Sequence, residues 1–170
     1  VKTSRARFYA NLTLWSYALL DACEGNPIDI YDMTPSWDEL REFYETAPIA
    51  RVNCKKTLGG KSCPKSELRN HLEIYGDLLQ RQMILYDADI ILCCGGSDLI
   101  KDFVKNSYLP DLTKVEDTEC LYYSPSGKKL VINSYHPSYP GCSTESMYEA
   151  MMKDMKIFLD RYPEFTKPSR

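Results

Sequence analysis

The sequence predicts an α/β protein of three layers, in which helices cover both faces of a mostly parallel, four-stranded sheet. Two observations lead to this prediction. The apolar run at residues 90–94 does not alternate with polar residues, and a Gly95-Gly96 turn and a helix follow it, as is typical of a buried parallel strand. Helical segments also alternate with strand-like segments along the chain, which favours an open sheet with helices on both sides.

The length and composition of the chain exclude several classes of protein. The 170 residues, 44% of them hydrophobic, suit a single domain, which we expect at residues 1–162, followed by a polar tail at residues 163–170. The net charge of −3 argues against a protein that coats nucleic acid with its whole surface. Seven cysteines, several of them in apolar runs, indicate a reducing, cytoplasmic compartment. No apolar run reaches the roughly 18 residues of a membrane helix, so we expect no membrane partner.

The first third of the chain is expected to contain two helices and a strand. Apolar residues recur at helical spacing over residues 5–22, and Gly25 ends this helix. The segment Ser36-Trp-Asp-Glu39 matches a capping box and begins a short second helix. Residues 49–53 are strand-like, and the Gly- and Lys-rich residues 54–65 are predicted to form a loop.

The remaining elements continue the alternation. One long helix is predicted to begin at Ser66, and a Ser97-capped helix is expected after the Gly-Gly turn. Residues 119–123 and 129–133, joined by Ser-Pro-Ser-Gly, indicate a hairpin or two strands linked by a tight turn. A final helix is expected from Ser143, with its methionines facing inward.

Three loops qualify as a binding site, because ligands of open α/β sheets bind at the carboxyl ends of the strands. These are the loop after Asn53, the Gly95-Gly96 turn and the loop that carries His136. His136 could act as a general acid or base, a metal ligand, or a hydrogen-bond donor to a developing anion. We expect no metal, because His71, the other histidine, lies mid-helix in a half-exposed structural position and the cysteines lack zinc-site spacing.

Asn53 allows two interpretations. Its carboxamide could read the edge of a pyrimidine-like ring while nearby glycines and lysines accept phosphates. Equally, Asn53 could only cap the strand end, with the lysines forming a solvated surface loop. The Gly95-Gly96 turn could cradle a phosphate, but the sequence has neither G-x-G-x-x-G nor a Walker lysine, which disfavours a nucleotide cofactor.

Four segments together resemble the uracil-DNA glycosylase superfamily, most closely its family-4-like and uncharacterised bacterial branches. They are Val52-Asn-Cys-Lys-Lys56, the long helix, Ile90-Ile-Leu-Cys-Cys-Gly95, and Ser134-Tyr-His-Pro-Ser-Tyr139. They occur here in the family's order, and the resemblance extends over about residues 45–160.

The resemblance implies a DNA glycosylase that binds a flipped-out base, uracil or another modified base, and hydrolyses its N-glycosidic bond. It implies that Asn53 reads the base and that His136 is the catalytic donor to the base as it leaves as an anion. Substrate binding would also involve Gly95, Ser138 and Tyr135. Contacts to DNA would come from Lys55, Lys56, Gly59, Gly60, Lys61 and, as a candidate wedge, Tyr139.

The sequence departs from the family at two places. The family's first motif, a G-E-x-P-G segment that supplies the water-placing residue, does not occur, so we expect either a strand upstream of residue 1 or a degenerate member. Family-4 enzymes bind an iron–sulfur cluster through cysteines, but the position directly after the N-x-x-K lysine is Thr57 here. The helix from Ser66 has no cysteine either, so we expect no cluster and no other cofactor.

Two further functions stay open besides the glycosylase. One is a catalytically degenerate nucleic-acid or nucleotide-binding module of the same fold. The other is a phosphate- or nucleotide-handling α/β enzyme of a different superfamily, because one fold serves many functions. For the glycosylase we expect DNA as the partner and a monomeric protein.

Overall fold

A computed structural model describes residues 4–26, 36–57 and 63–166 of the chain. The described residues form six α-helices, four β-strands and a 3-10 helix at Pro163–Phe165. The helices are α1 (Ser4–Cys23), α2 (Trp37–Thr46), α3 (Lys65–Ile74), α4 (Gly76–Tyr86), α5 (Leu99–Ser107) and α6 (Thr144–Arg161), and the strands are β1 (Ile90–Cys94), β2 (Thr113–Lys114), β3 (Leu121–Ser124) and β4 (Lys129–Ser134). The predicted mixed α/β class is confirmed.

The chain divides into two compact units. The first unit comprises Val1–Ile49, Lys114–Leu121 and Tyr135–Arg170, and the second comprises Ala50–Thr113 and Tyr122–Ser134. Each unit is therefore built from segments that are distant in sequence.

The four strands form one mixed sheet in the order β1-β4-β3-β2. Strands β1 and β4 run parallel, with Ile90 opposite Leu130 and Cys94 opposite Ser134. The number of strands agrees with the prediction, but a mostly parallel sheet is not what is found, because this is the one parallel pair. Only four residues separate β3 from β4, and such a turn is too short for the crossover that parallel neighbours need.

The second unit has two apolar clusters around the sheet. One contains Cys93 of β1, Val131 of β4 and residues of α5 and the segment after it. The other contains Leu68, Leu72 and Leu79 of α3 and α4, and Val52 and Cys54 pack against it. The segment around Asn53 is therefore held by its two apolar neighbours.

The predicted strand at residues 49–53 is not present as a strand. A strand is stabilised by hydrogen bonds to a neighbour, and β1 is at the edge of the described sheet without a partner from these residues. Val52 of this segment nevertheless packs against a core cluster.

The predicted long helix from Ser66 is two helices. The break is at Tyr75, whose φ of −107° and ψ of 15° are not helical, and Gly76 begins α4. A Cβ on Gly76 would lie 3.4 Å from the Phe103 ring, so this glycine allows α4 to begin close to α5. Two predicted caps are also wrong. The residue before α3 is Pro64, and the residue before α5 is Asp98, since Ser97 has a φ of 54°.

In the first unit α1 packs against α2 and α6. The predicted capping box of α2 is confirmed: the N–H of Glu39 donates to Ser36 Oγ over 3.3 Å, and the N–H of Ser36 donates to the Glu39 carboxylate over 2.6 Å. The final helix predicted from Ser143 is present as α6, and Ser143 caps it by accepting from the N–H of Ser146 over 3.0 Å. The inward face of α6 consists of Met147, Met151, Met155 and Phe158, all buried.

The segment after α6 differs in part from the predicted frayed tail. Phe165 is buried in the short 3-10 helix, where its ring lies 5.1 Å from that of Phe158. Residues 167–170 lie outside the described residues. None of the described helices is long and apolar enough to span a membrane.

Candidate functional site

The predicted site residues fall into two groups, one in each unit. The first unit contains His136, Tyr135, Ser138 and Tyr139, and the second contains Asn53, Gly95, Lys55 and Lys56. Gly59, Gly60 and Lys61 lie outside the described residues.

In the second unit, the carboxyl ends of β1 and β4 lie side by side. Cys94 pairs with Ser134, and the N–H of Gly95 extends the ladder by donating to the Ser134 carbonyl over 2.9 Å. His136 follows Ser134 by two residues in the chain. The β1 turn and the end of β4 therefore lie at the same edge of the sheet, the edge at which such sheets bind ligands.

The turn after β1 has an unusual backbone. Gly95, Gly96 and Ser97 have φ values of 83°, 74° and 54°, all in the left-handed region. A Cβ on Gly96 would lie 2.7 Å from Leu68 Cδ2, so α3 approaches the turn too closely for a side chain. Because the N–H of Gly95 already donates to Ser134, Gly95 can line a substrate site but has no N–H left to donate to a phosphate.

In the first unit, the ring of His136 is held in one orientation. The N–H of Ser138 donates to His136 Nδ1 over 3.2 Å, and the N–H of Tyr139 donates to the His136 carbonyl over 2.7 Å. The ring also packs on Phe8 of α1, with 5.3 Å between ring centroids.

The Ser138 hydrogen bond determines the protonation state of His136. A backbone amide can only donate, so Nδ1 must accept and cannot have a proton. The ring is then neutral with its proton on Nε2. His136 is an exposed residue, but partial burial of its ring lowers its pKa, because burial disfavours the charged imidazolium.

The His136 loop is anchored to α1 and α6 by buried polar groups. Asn11 of α1, which is 1% exposed, donates from Nδ2 to the Pro137 carbonyl over 2.6 Å. Its Oδ1 accepts from the hydroxyl of Thr144 in α6 over 3.0 Å. Arg7 adds a hydrogen bond of 2.5 Å to the Cys142 carbonyl. Sequence patterns gave no sign of these contacts, which join residues more than 120 positions apart.

Tyr135 and Tyr139 of the same loop form a stacked pair. Their ring centroids are 4.8 Å apart and their planes are inclined by 8°. Both side chains are exposed, Tyr135 by 57% and Tyr139 by 40%. The two tyrosines therefore present a flat aromatic surface beside His136 in the chain.

In the second unit, Asn53 lies in a tight turn. Its Oδ1 accepts the N–H of Lys55 over 3.1 Å, which fixes the carboxamide while the residue stays exposed. Among the described residues, Lys55 Nζ pairs with Glu67 at 2.5 Å and Lys56 Nζ donates to Gln82 at 2.8 Å. Both lysines are thus engaged by side chains of α3 and α4 rather than extended into solvent.

His71 has a structural environment. It is buried rather than half-exposed, its ring stacks on that of Tyr75 at 5.6 Å, and its Nε2 lies 3.3 Å from the Thr57 hydroxyl. Across the described residues, no group of three or more His, Cys, Asp or Glu side chains could hold a metal ion.

The cysteines form no disulfide bonds among the described residues, and burial raises the pKa of several of their thiols. Burial raises the pKa of the Cys94 thiol to about 12, and it also raises the pKa of Cys93 and of Cys120, where Asp154 adds to the effect. Since the thiolate is the reactive form, these side chains are core residues and not nucleophiles.

The described residues also form a cleft of about 460 Å³ between α1 and α2, lined by Tyr9, Arg41 and Tyr44 among others. None of the predicted site residues lines it. Comparison of the chain with protein-family models, with curated proteins and with solved structures gave no match. The functional proposal therefore rests on the residues of the site and on the motifs of the sequence.

Proposed function

We propose that the chain is a DNA glycosylase, similar to the uracil-DNA glycosylases, that excises uracil or another altered base. The observation that carries this proposal is the hydrogen bond from the Ser138 N–H to His136 Nδ1. It leaves His136 as a neutral ring with one fixed N–H, at Nε2. A neutral, fixed donor is what a departing base anion needs, as oxyanion stabilisation in other enzymes illustrates.

The reaction that we assign is hydrolysis of the N-glycosidic bond. The oxygen of water bonds to C1′ of the sugar while the bond from C1′ to the base nitrogen breaks and leaves its electron pair on the base. Positive charge develops on the sugar and negative charge on the base. His136 Nε2–H donates to a base oxygen as this negative charge grows, and the proton released by water finally neutralises the base.

Asn53 would identify the base. Its carboxamide has two Nδ2 donors and an Oδ1 with two lone pairs, of which the Lys55 N–H takes one. A donor and an acceptor remain on one planar group, which matches the carbonyl and the ring N–H of uracil. The turn that fixes this amide supports the reading role over simple capping of a strand, because residues 49–53 are not a strand.

The proposal also covers the arrangement of the domain and its location in the cell. We propose a single, monomeric domain of the uracil-DNA glycosylase type, with helices on both faces of the sheet and DNA as the partner. We also propose a cytoplasmic location, because seven cysteines without a disulfide bond among the described residues suit a reducing compartment.

Excision assays test the proposal. Full-length protein is incubated with oligonucleotides that contain uracil, hypoxanthine or a modified cytosine, and abasic sites are scored after alkaline cleavage. We expect single-turnover excision of at least one base. His136→Ala should lower that rate about 10²- to 10³-fold, by analogy with a lost oxyanion donor. Asn53→Ala should lower it too, whereas Asn70→Ala, at an exposed position of α3, should not.

A second candidate is a base-binding module that has lost hydrolysis. One observation favours it: the stacked and exposed rings of Tyr135 and Tyr139 can hold a base without any chemical step. Oligonucleotide binding that depends on Asn53 and His136, without excision of any base by folded protein, would establish this alternative and refute the enzyme.

A further inference from the structure

The stacked pair formed by Tyr135 and Tyr139 is held in place rather than collapsed onto the surface. The Tyr139 N–H donates to the His136 carbonyl, and the Pro137 between them is buried and bound by Asn11. Gly141 lies against the Tyr139 ring so closely that a Cβ there would fall 2.6 Å from three of its atoms. The loop thus fixes Tyr139, and Tyr139 supports the ring of Tyr135.

The pair leaves the outer face of Tyr135 exposed. In a parallel stack the two inner faces cover each other, so the 57% exposure of Tyr135 arises at its outer face and edges. A flat, fixed aromatic face is a platform on which a nucleobase can stack, and such stacking is tolerant of sequence because every base has a π-face.

We propose that the tyrosine pair is a stacking platform for an unpaired nucleobase, and that single-stranded DNA is the favoured ligand of this loop. This inference deepens the proposed function and takes its choice of DNA from it. The ring of His136 packs on Phe8, whereas the ring of Tyr135 stacks on Tyr139. We therefore assign the reaction to His136 and the stacking of a base to Tyr135. The platform holds a base next to the one on which His136 acts.

The charge of the chain favours stacking over general attraction to phosphates. The net charge is −3, and Lys55 and Lys56 are engaged by Glu67 and Gln82. Phosphate contacts dominate affinity in proteins that bind duplex DNA through basic surfaces. In a duplex, each base is already stacked on both faces by its neighbours, so only unpaired bases can use the platform without the cost of unstacking.

Fluorescence anisotropy tests the platform with a short labelled oligonucleotide that contains no altered base. The oligonucleotide is offered as a single strand, as a matched duplex and as an RNA of the same sequence. Wild-type protein should bind the DNA single strand most tightly. Tyr135→Ala should weaken that binding about 5- to 100-fold, the range for loss of one base–aromatic stack. Tyr135→Phe should retain it, because the ring plane is preserved.

Two further variants make the test specific. Gly141→Ala keeps both tyrosines but forces Tyr139 to move, so it should weaken binding in the same direction. Tyr86→Ala removes a tyrosine of similar exposure, 49%, from α4 and should leave binding unchanged. The thermal unfolding midpoint of each variant shows that the protein is folded.

The outcomes separate this inference from the proposed function. Three results would each overturn the platform as proposed. They are unchanged single-strand binding by Tyr135→Ala, equal affinity of the wild-type protein for the single strand and the matched duplex, and tighter binding of RNA than of single-stranded DNA. His136→Ala tests the proposed function through the rate of excision, whereas Tyr135→Ala tests the platform through the affinity for an unmodified single strand. If wild-type protein excises no base yet binds single strands through Tyr135, the platform stands and the glycosylase proposal fails.

Discussion

The backbone N–H of Ser138 lies 3.2 Å from Nδ1 of His136 and donates a hydrogen bond to it. This relationship determines which nitrogen has the proton, because an amide cannot accept. It also fixes the direction of the ring, since the same loop packs His136 on Phe8. A positioned, neutral imidazole with its donor on Nε2 is the basis of the proposed function.

The first prediction concerns pH and stability. Burial places the pKa of His136 below the value of about 6.5 that it has in an unfolded chain. Above pH 6.5 both states are neutral and His136 contributes no pH dependence. As the pH falls below 6.5 the unfolded chain takes up the proton first, so the free energy of unfolding should fall until the pH drops below the folded pKa.

Urea denaturation between pH 7.5 and 5 measures this contribution, with His136→Asn as the reference that removes it. The ring titration followed by NMR should report the Nε2–H tautomer at neutral pH. A His136 pKa above 6.5, or an Nδ1–H tautomer, would contradict the assigned hydrogen bond.

The second prediction concerns Asn11, which links the His136 loop to α1 and α6. Asn11→Ala removes two hydrogen bonds and leaves the buried Pro137 carbonyl without its donor. The free energy of unfolding should fall by about 2–3 kcal/mol, measured by urea denaturation. Asn70→Ala, at an exposed position, should change it by less than about 0.5 kcal/mol. Equal stability of the two variants would show that the Asn11 bridge contributes little.

The third prediction compares two glycines in the left-handed region. Gly25 has a φ of 87° and open space around a built Cβ, so Gly25→Ala should cost only the backbone strain of about 1–2 kcal/mol. Gly96 has a φ of 74° and Leu68 at 2.7 Å, so Gly96→Ala should cost about 1 kcal/mol more through overpacking. Thermal unfolding of the two variants gives the difference, and identical losses would mean that Leu68 moves aside freely.

The fourth prediction tests whether Lys55 contacts DNA. Its Nζ pairs with Glu67, and the hydrogen bond from Lys55 is the main reason why the pKa of the Glu67 carboxyl is lowered. Glu67→Gln removes the competing charge and should tighten oligonucleotide binding at low salt. Lys55→Ala should lower the slope of log affinity against log salt by about 0.7 for single-stranded DNA.

Lys105→Ala, at an exposed position of α5, is the matched control for this experiment. If Lys55→Ala and Lys105→Ala show the same salt slope, Lys55 has a structural role in the turn and its predicted contact with DNA is wrong.

Local patterns predicted most of the elements. The α2 capping box, the apolar run of β1 and the start of α6 after Ser143 depend on residues within a few positions of one another, so their sequences suffice. The break at Tyr75 was missed because the apolar spacing continues across it.

The strand predicted at residues 49–53 shows a limit of prediction from local sequence patterns. Its residues were predicted to be strand-like, and Val52, which is partly buried, packs against a core cluster. Strand conformation also needs a hydrogen-bonded neighbour, which no local pattern specifies. The direction of the sheet was misjudged although its cause is local, because only four residues join β3 to β4, too few for the crossover between parallel neighbours.

The sequence by itself determined the α/β class, the position of His136 just after a buried strand, and the aromatic and proline residues around it. Only the tertiary structure decided how the loop of that histidine is held. Asn11 and Arg7 of α1 donate to the loop, and Thr144 of α6 donates to Asn11. Hydrogen bonds across more than 100 residues arise only after the helices have packed, so no spacing along the chain can specify them.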